Sequence, residues 1–395
     1  MSKARTAIRT VADAVAVAQT LPHGNTGLTI SLNGDVVSFT ATDNAGNACT
    51  VVAATTRYRR GQVEPFTAHI APDHLSALAV SRRHEQRTLA FEDGTFRLGA
   101  GIEVPATATE PVVVAADHAG GHATAHVAPA AFLRALTALE PHARTVKPRN
   151  EGHARLSITR HGAVSMAVVG DYSAASVHIP TLDTGAADID CHGHTRLGAW
   201  TQATSLLDPV AANWTITVVP GATCDQITVT DGATAVTVVA PTTRTPNFEA
   251  TFAAPAGLRC WDLDIIDISV VDEFLRLLPR TFNDDTAFVQ IRNHIGPADG
   301  QLHPLEFVAR EGGQLAVAGQ PFRNTTTRPV MTTSVDEAQV DVTLSQMRQI
   351  VATAMRSGGG RVTLRGYTPY ESMSQLVLTG NGTTAVTIGR VPQPL

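Results

Sequence analysis

The sequence has almost no lysine and few aromatic residues. Lys3 and Lys147 are the only lysines, so nearly all of the positive charge is arginine. Aromatic residues make up 5% of the 395 residues, and Ala, Val, Thr and Gly are abundant. This composition indicates light cores that are rich in strands. The net charge of −5 excludes a protein coated in positive charge, but it allows arginine to be concentrated on one face.

Cysteines and long apolar runs are also scarce. Cys49, Cys191, Cys224 and Cys260 stand far apart without a C-x-x-C pair. This spacing argues against a disulfide scaffold and a zinc ribbon, and it is typical of a reducing cytoplasm. No apolar run approaches the length of about eighteen residues that a membrane span needs. Asp13 interrupts the Ala- and Val-rich N-terminal run, which argues against a signal peptide.

A local pattern recurs along the chain. The stretch His126–Leu136 reads as a strand end, then Pro129 at the first helical turn, then apolar residues at helical spacing. The stretch His69–Leu78 repeats this pattern around Pro72. Proline is tolerated at the start of a helix because its missing N–H would have no helical partner there. The recurrence predicts a repeated β-α-β-β-β unit.

Two series of hairpin turns support the repeat. Closing hairpins are predicted at Asp93-Gly94, Asp231-Gly232 and Asn381-Gly382, and opening hairpins at Gly34, Gly162 and Gly313. Helices are predicted between them, over Val11–Gln19, Pro72–Arg83, Ala130–Glu140, Thr195–Leu207, Ser269–Leu278 and Thr343–Arg356. Asp117–Thr124 and Ala253–Gly257 read as linkers. The prediction is an α+β protein of three similar domains, 1–122, 123–252 and 253–395, each made of two β-α-β-β-β units.

This architecture resembles the beta sliding clamp of bacterial DNA polymerase III over essentially the whole chain. The local stretches that carry the resemblance are Phe39–Asp43, Ala167–Asp171, Arg244–Phe248 and the terminal Val391–Leu395. The resemblance implies a head-to-tail homodimer that closes a ring around duplex DNA, with helices lining a central hole and sheets outside. It implies a cytoplasmic, nucleoid-associated processivity factor without catalytic residues or a cofactor, which tethers a polymerase.

A protein that slides on DNA needs positive charge facing the phosphates and no contacts that read the bases. In the last predicted helix, Arg348 and Arg356 fall opposite the apolar stripe of Leu344, Met347 and Ile350. The predicted DNA-channel residues are Arg9, Arg82, Arg83, Arg134, Arg144, Lys147, Arg149, Arg196, Arg276, Arg348 and Arg356. The alternative interpretation is that these are ordinary exposed arginines.

The resemblance also implies two protein-binding surfaces. A pocket for short peptides of the polymerase and the clamp loader would comprise Gly170, Tyr172, Ser173, Ala175, Pro246, Val391, Pro392 and Leu395. The family usually has Gly-His-Arg-Leu where this chain has Tyr172–Ala175, so its peptide preference differs or the pocket is unused. A dimer interface would join Phe96 and Leu98 to Leu278 and Phe282, which are alternatively core residues.

Other motifs are weaker. Cys191-His192-Gly193-His194 has metal-binding residue types, but it reads as a strand entering a helix, where alternate side chains point to opposite faces. His118, His122 and His126 are spaced for a helix but include Gly120-Gly121, so no metal site is predicted. Two other functions stay open: a clamp-fold interaction scaffold that does not encircle DNA, and an unrecognised enzyme on a repeated α+β scaffold.

Overall fold

The computed structural model of the chain describes residues 4–19, 25–44, 48–57, 65–78, 86–110, 121–143, 152–170, 172–183, 189–222, 224–241, 246–253, 259–294, 305–311, 314–317, 337–368 and 373–390. Within these ranges, six β-α-β-β-β repeats follow one another, as the sequence predicts. No helix in these ranges is both long enough and apolar enough to cross a membrane.

The first two repeats open the chain. The first comprises β1 (Ala4–Ala7), α1 (Ile8–Gln19), β2 (Asn25–Asn33), β3 (Val36–Asp43) and β4 (Ala48–Ala54), followed by the short β5 (Thr56–Arg57). The second comprises β6 (Phe66–Ile70), a 3₁₀ turn (Pro72–His74), α2 (Leu75–Leu78), β7 (Gln86–Glu92), β8 (Thr95–Leu98) and β9 (Ile102–Pro105), followed by β10 (Thr107–Ala108).

The middle repeats contain the long helix α3 and the short helix α4. The third comprises β11 (Ala123–Val127), α3 (Pro129–Ala143), β12 (His153–Ile158), β13 (Val164–Val169) and β14 (Ser173–Ile179), followed by β15 (Thr181–Asp183). The fourth comprises β16 (Cys191–Arg196), α4 (Leu197–Ala203), a 3₁₀ turn (Thr204–Leu206), β17 (Trp214–Val219), β18 (Cys224–Thr230) and β19 (Thr234–Pro241).

The last two repeats follow a short helix, α5 (Phe248–Phe252). The fifth comprises β20 (Arg259–Asp267), α6 (Ile268–Leu277), β21 (Phe288–His294), β22 (Leu305–Glu311) and β23 (Gln314–Val317). The sixth comprises β24 (Glu337–Thr343), α7 (Leu344–Arg356), β25 (Arg361–Thr368), β26 (Met373–Gly380) and β27 (Thr383–Arg390).

The chain packs as two compact units. The first contains residues 1–133, 153–165 and 179–245, and the second contains residues 134–152, 166–178 and 246–395. The first unit holds a ten-stranded sheet in which β4 pairs with β19, and the second holds a sheet in which β14 pairs with β27. Such pairing covers strand edges that would otherwise be exposed. The division into three domains stays a prediction, because these ladders join strands on either side of its boundaries.

The core of the first unit is made of aliphatic side chains and a few aromatic clusters. The ten-stranded sheet has the order β10-β6-β2-β3-β4-β19-β18-β17-β11-β15, and a separate sheet has the order β5-β1-β7-β8-β9. Phe132 packs edge-on against Trp200 and Trp214, with ring centroids 6.0 and 5.9 Å apart. Phe66 lies 6.4 Å from Phe96. These rings fill the layer between helices and strands.

In the second unit, α6 and α7 pack against each other, and α7 also packs on β27. Leu344, Met347, Ile350 and Val351 of α7 are buried, at the spacing the sequence predicts for one helical face. A capping box opens this helix: Gln346 N donates to Thr343 Oγ1 at 3.2 Å, and Thr343 N donates to Gln346 Oε1 at 3.0 Å.

The predicted hairpin glycines lie in turns. Both residues of Asp93-Gly94 (φ 49° and 72°) and of Asn381-Gly382 (φ 48° and 70°) are left-handed, which is the conformation that type I′ hairpins require. Asp231-Gly232 differs, because Asp231 Oδ1 instead accepts hydrogen bonds from the N–H groups of Ala233 and Thr234. Gly313 lies outside the described residues.

Two sequence predictions were wrong at their boundaries, and a third is only partly described. The helix predicted over Pro72–Arg83 is present as a 3₁₀ turn and α2 up to Leu78, and its remaining residues lie outside the described ones. The linker predicted to end at Thr124 already belongs to β11 from Ala123 onward. The helix predicted from Thr195 begins at Leu197, because β16 extends through Arg196 to complete its pairing with β12.

Candidate nucleic-acid and partner-binding surfaces

The arginines of α6 and α7 are exposed, and each forms an ion pair with a carboxylate. Arg276 Nη2 lies 2.6 Å from Asp272 Oδ2, one turn earlier on α6. Arg348 Nη1 lies 3.3 Å from Asp284 Oδ1. Exposed ion pairs of this kind contribute only about 0–1 kcal/mol, because water screens them and the side chains lose freedom. These guanidinium groups are therefore held in place but can change partners at low cost.

Arg356 is held more specifically. Its Nη1 donates to the backbone oxygen of Thr137 at 2.9 Å and to Glu140 Oε2 at 3.1 Å, both on α3. Arg348 and Arg356 are both exposed, on the side of α7 opposite its apolar stripe, as the sequence predicts for this helix. The carboxylate partners were not predictable from local spacing, since Asp284 and Glu140 are far away in sequence.

A cavity of about 520 Å³ lies beside Arg276 and Arg348. Its lining combines apolar side chains with charged ones: Leu275, Leu278, Pro279, Phe282, Val351 and Ala352 with Asp272, Arg276, Arg280, Asp284 and Arg348. Arg280 is a cation that the sequence interpretation missed. It follows Pro279 just after α6, outside the helical periodicity from which the other arginines were predicted.

The other predicted DNA-channel residues are placed unevenly. Arg134 is exposed on α3. Arg9 lies in α1, but its side chain is not among those described. Arg82, Arg83, Arg144, Lys147 and Arg149 lie outside the described residues. Arg196 lies at the end of strand β16, opposite His153 of β12, so its assignment to a helix face was wrong.

The predicted peptide pocket is only partly described. Gly170 N donates to Ser173 O at 2.8 Å across a turn that leads into β14. Tyr172 projects from this turn with 60% of its surface exposed. Ala175 is fully buried and pairs with Ala385 of β27. Pro246 is half-buried just before α5, and Val391, Pro392 and Leu395 lie outside the described residues. Tyr172 is thus the accessible side chain of the described set.

Ser173 belongs to a buried network that the sequence interpretation missed. His142 Nδ1 lies 2.9 Å from Ser173 Oγ, and His142 Nε2 lies 2.8 Å from Thr353 Oγ1. Ser173 Oγ donates to Gln349 Oε1 at 2.8 Å. In a neutral ring Nδ1–H donates to Ser173 Oγ, and the Thr353 hydroxyl proton is shared between His142 Nε2 and the backbone oxygen of Gln349, 2.9 Å from Thr353 Oγ1. Burial lowers the pKa of His142 to about 3, which keeps the ring neutral.

A sequence signal for this histidine was present. Phe132, Leu136, Leu139 and His142 continue one apolar stripe along α3, and all four are buried. The network links α3, β14 and α7 within the second unit. It fixes the start of β14, beside the turn that presents Tyr172.

The four residues of the predicted dimer interface are buried inside the chain. Phe96 and Leu98 of β8 are 0% and 1% exposed, and Leu278 and Phe282 are 7% and 6% exposed. Within the single chain, these four side chains are therefore core residues. The neighbouring Leu277 of α6 is 77% exposed, and Val270, seven residues earlier on the same face, is 37% exposed. Helical phase separates the two leucines, so that Leu277 is exposed and Leu278 is buried.

The described residues contain no group of three His, Cys, Asp or Glu side chains arranged to hold a metal ion. Cys191 points inward, and His192 and His194 point outward from β16, as strand alternation predicts. His126 Nδ1 bonds to Thr215 Oγ1 at 3.0 Å.

No protein-family model matches the chain, and no curated protein sequence matches it. Solved structures match it over its whole length. DNA polymerase III subunit beta from Pseudomonas aeruginosa has a TM-score of 0.64 at 11% identity, covering 99% of this chain and 100% of that one. Caulobacter crescentus pol III beta has a TM-score of 0.63 at 12% identity, covering 99% of this chain and 100% of that one. A putative beta subunit from Eubacterium rectale gives 0.63 at 7% identity, with both chains fully covered.

The chain has the sliding-clamp fold. This fold accounts for the order of the repeats, and it confirms the α+β class and the repeated β-α-β-β-β architecture predicted from the sequence. The low identity marks this chain as a divergent example of the fold. In the sliding-clamp fold of this chain, the exposed arginines of α6 and α7 belong to the fifth and sixth repeats, and Tyr172 belongs to the third.

Proposed function

We propose that the protein is a DNA sliding clamp, a head-to-tail dimer that encircles duplex DNA and tethers a replicative DNA polymerase. The observation that carries the proposal is the match to DNA polymerase III beta subunits over the full length of both chains. A partial match would be compatible with a shared domain alone. The role is non-catalytic, since topological linkage rather than chemistry would provide processivity.

The arginines support contact with DNA that is independent of sequence. Arg134, Arg276, Arg348 and Arg356 are exposed on helices, and arginine binds phosphate oxygens without reading bases. The carboxylates beside Arg276, Arg348 and Arg356 would have to be displaced by phosphates. Each contact with DNA is therefore expected to be weak, and weak contacts favour sliding over tight binding.

As the resemblance implies, the polymerase and the clamp loader would each insert a short apolar peptide near the turn of Gly170 and Tyr172. Self-association would use α6, with Leu277 and Val270 as its exposed apolar side chains. A DNA-bound clamp of this kind works in the cytoplasm on the nucleoid.

The test of DNA association is charge reversal of Arg348 and Arg356. The double variant Arg348→Glu/Arg356→Glu is expected to bind a fluorescent duplex at least roughly tenfold more weakly, and to lower the salt slope of log K by about two. Arg310→Glu, an exposed arginine on β22, serves as the control. Asp284→Asn, which removes the partner of Arg348, is expected to strengthen binding. Unchanged affinity and salt slope in the double variant would remove these residues from the DNA surface.

The second candidate is a clamp-fold scaffold that does not encircle DNA. The internal carboxylate partners of three exposed arginines favour it, because they already neutralise charge that a DNA channel would need. The same duplex measurement distinguishes the two. A scaffold would show no duplex binding at low salt in the unmodified chain.

A further inference from the structure

The two-stranded ladder of β12 and β16, within the first unit, concentrates cationic and imidazole side chains on one face. The register places His153 opposite Arg196, Arg155 opposite His194, and Ser157 opposite His192. Five of these six positions carry arginine or histidine, and these five are half-buried while Ser157 is buried. We call His153, Arg155, His192, His194 and Arg196 the β12–β16 patch.

The opposite face of the ladder is fixed by packing. Its side chains belong to Ala154, Leu156, Ile158, Cys191 and Thr195, and all are buried. At Gly193 an added Cβ would lie 2.7 Å from Ile227 Cγ1 and 3.0 Å from Val218 Cγ1, so β16 lies directly against β17 and β18. The patch is therefore presented by a rigid backbone.

His194 of the patch is fixed by the carboxylate of Asp225. Asp225 Oδ2 accepts hydrogen bonds from the backbone N of His194 at 2.9 Å and from its Nδ1 at 2.6 Å, and Asp225 Oδ1 accepts from Gly221 N at 3.2 Å. Asp225 itself is 3% exposed. This bonding orients the imidazole of His194 while part of the ring stays accessible.

Cross-strand pairs lie about 5 Å apart, and successive outward positions along a strand lie about 6.8 Å apart. Like charges so close together are destabilising. Burial, the Arg196 guanidinium and His194 hold the pKa of His153 below its ordinary value. An anion on this face would relieve that repulsion.

We propose that the β12–β16 patch binds single-stranded nucleic acid. Guanidinium groups bind phosphate oxygens, and imidazole rings and guanidinium planes on a sheet are the groups on which unpaired bases stack. An acidic peptide would use only the charge and would leave the planar groups without a role. The site is separate from the arginines of α6 and α7 and does not depend on the proposed function.

The pH dependence of binding follows from the groups around His153. Burial of the ring opposes its protonation, as do Arg196 and His194 on β16. A phosphate bound here would raise the pKa of His153 toward its ordinary value, so binding takes up a proton. Affinity is therefore expected to rise as the pH falls from about 8 to about 6.

The test is fluorescence anisotropy with the full chain and a labelled oligo(dT) of roughly 20 nucleotides. The variant Arg155→Gln/Arg196→Gln is expected to lose roughly tenfold or more in affinity and about 1.4 in salt slope. His153→Gln is expected to bind at pH 8 like the unmodified chain but to lose the gain at pH 6. The control, Arg310→Gln, is expected to leave binding unchanged.

Several outcomes would overturn the assignment. Equal oligonucleotide affinity in the Arg155→Gln/Arg196→Gln variant, with an unchanged melting temperature, would remove the patch as the site. Loss of binding in Arg348→Gln/Arg356→Gln instead would place the strand on the helices of the second unit. Displacement of the oligonucleotide by poly-glutamate at equal charge would show that the patch binds anions through charge alone.

Discussion

His142 is held neutral in the folded chain because burial lowers its pKa to about 3, whereas an unfolded histidine titrates near 6.5. Its two ring nitrogens bond to Ser173 and Thr353, so the neutral ring also completes a hydrogen-bond network. A buried group of this kind links the stability of the second unit to pH. The sign of the effect follows from which state binds the proton.

The folded pKa lies below the unfolded one, so the unfolded chain binds a proton that the folded chain does not. His142 therefore contributes no pH dependence above about pH 6.5, and it costs about 1.4 kcal/mol of stability per pH unit as the pH falls from there toward 3. His142→Leu is expected to lower the free energy of unfolding at pH 7 by about 1–3 kcal/mol, and to flatten its decline in acid.

Urea unfolding at several pH values between about 7 and 4 measures this slope. His178→Leu, at an exposed position of β14, is the control and should keep the slope of the unmodified chain. An equally steep decline in His142→Leu would show that another group causes the acid sensitivity.

At the scale of elements, two adjacent leucines at the end of α6 differ in exposure. Leu278 is 7% exposed and Leu277 is 77% exposed. Leu278→Ala is expected to cost about 2–5 kcal/mol of stability through the cavity it leaves. Leu277→Ala is expected to change stability by less than about 0.5 kcal/mol, but to raise the dimer dissociation constant about tenfold.

Thermal melting and sedimentation of the two alanine variants give both quantities. The paired design separates folding from assembly, since each variant is the other's control. A Leu277→Ala chain that associates as tightly as the unmodified chain would exclude this face of α6 from the dimer interface.

The sequence determined most elements because their signals are local. Asn-Gly and Asp-Gly turns, Pro at the start of α3 and the apolar stripe of α7 each act within a few residues, and all of these elements are present. Pairing of β4 with β19 and the ion pair of Arg356 with Glu140 join distant segments, and no local pattern encodes them. Arg196 was misassigned because β16 runs directly into α4 with no turn residue between them, so no local signal marks where the strand ends.

The candidate site was predictable only in its residue types. Arginines could be located on helix faces from periodicity, but whether a carboxylate lies beside each one depends on packing between helices. The same holds for Leu277 and Leu278, where a small shift in helical phase exchanges an exposed residue for a buried one.

At the scale of the whole molecule, the proposed function requires two chains to form a ring. The sliding-clamp fold was inferred from the order of turns and helices, and the matches to beta subunits bear it out. In the proposed function, the three pairs of repeats of one chain would supply half of the ring, so encirclement of duplex DNA would require a second copy. Assembly is therefore the property on which the proposed function depends most directly.

The most direct test is the solution mass of the full chain by light scattering, with electron-microscope images of the same peak. The account predicts twice the 41.6-kDa mass of the chain, and closed rings with a hole wide enough for duplex DNA. A monomer at micromolar concentration, or a dimer without a central hole, would contradict the ring and favour the scaffold.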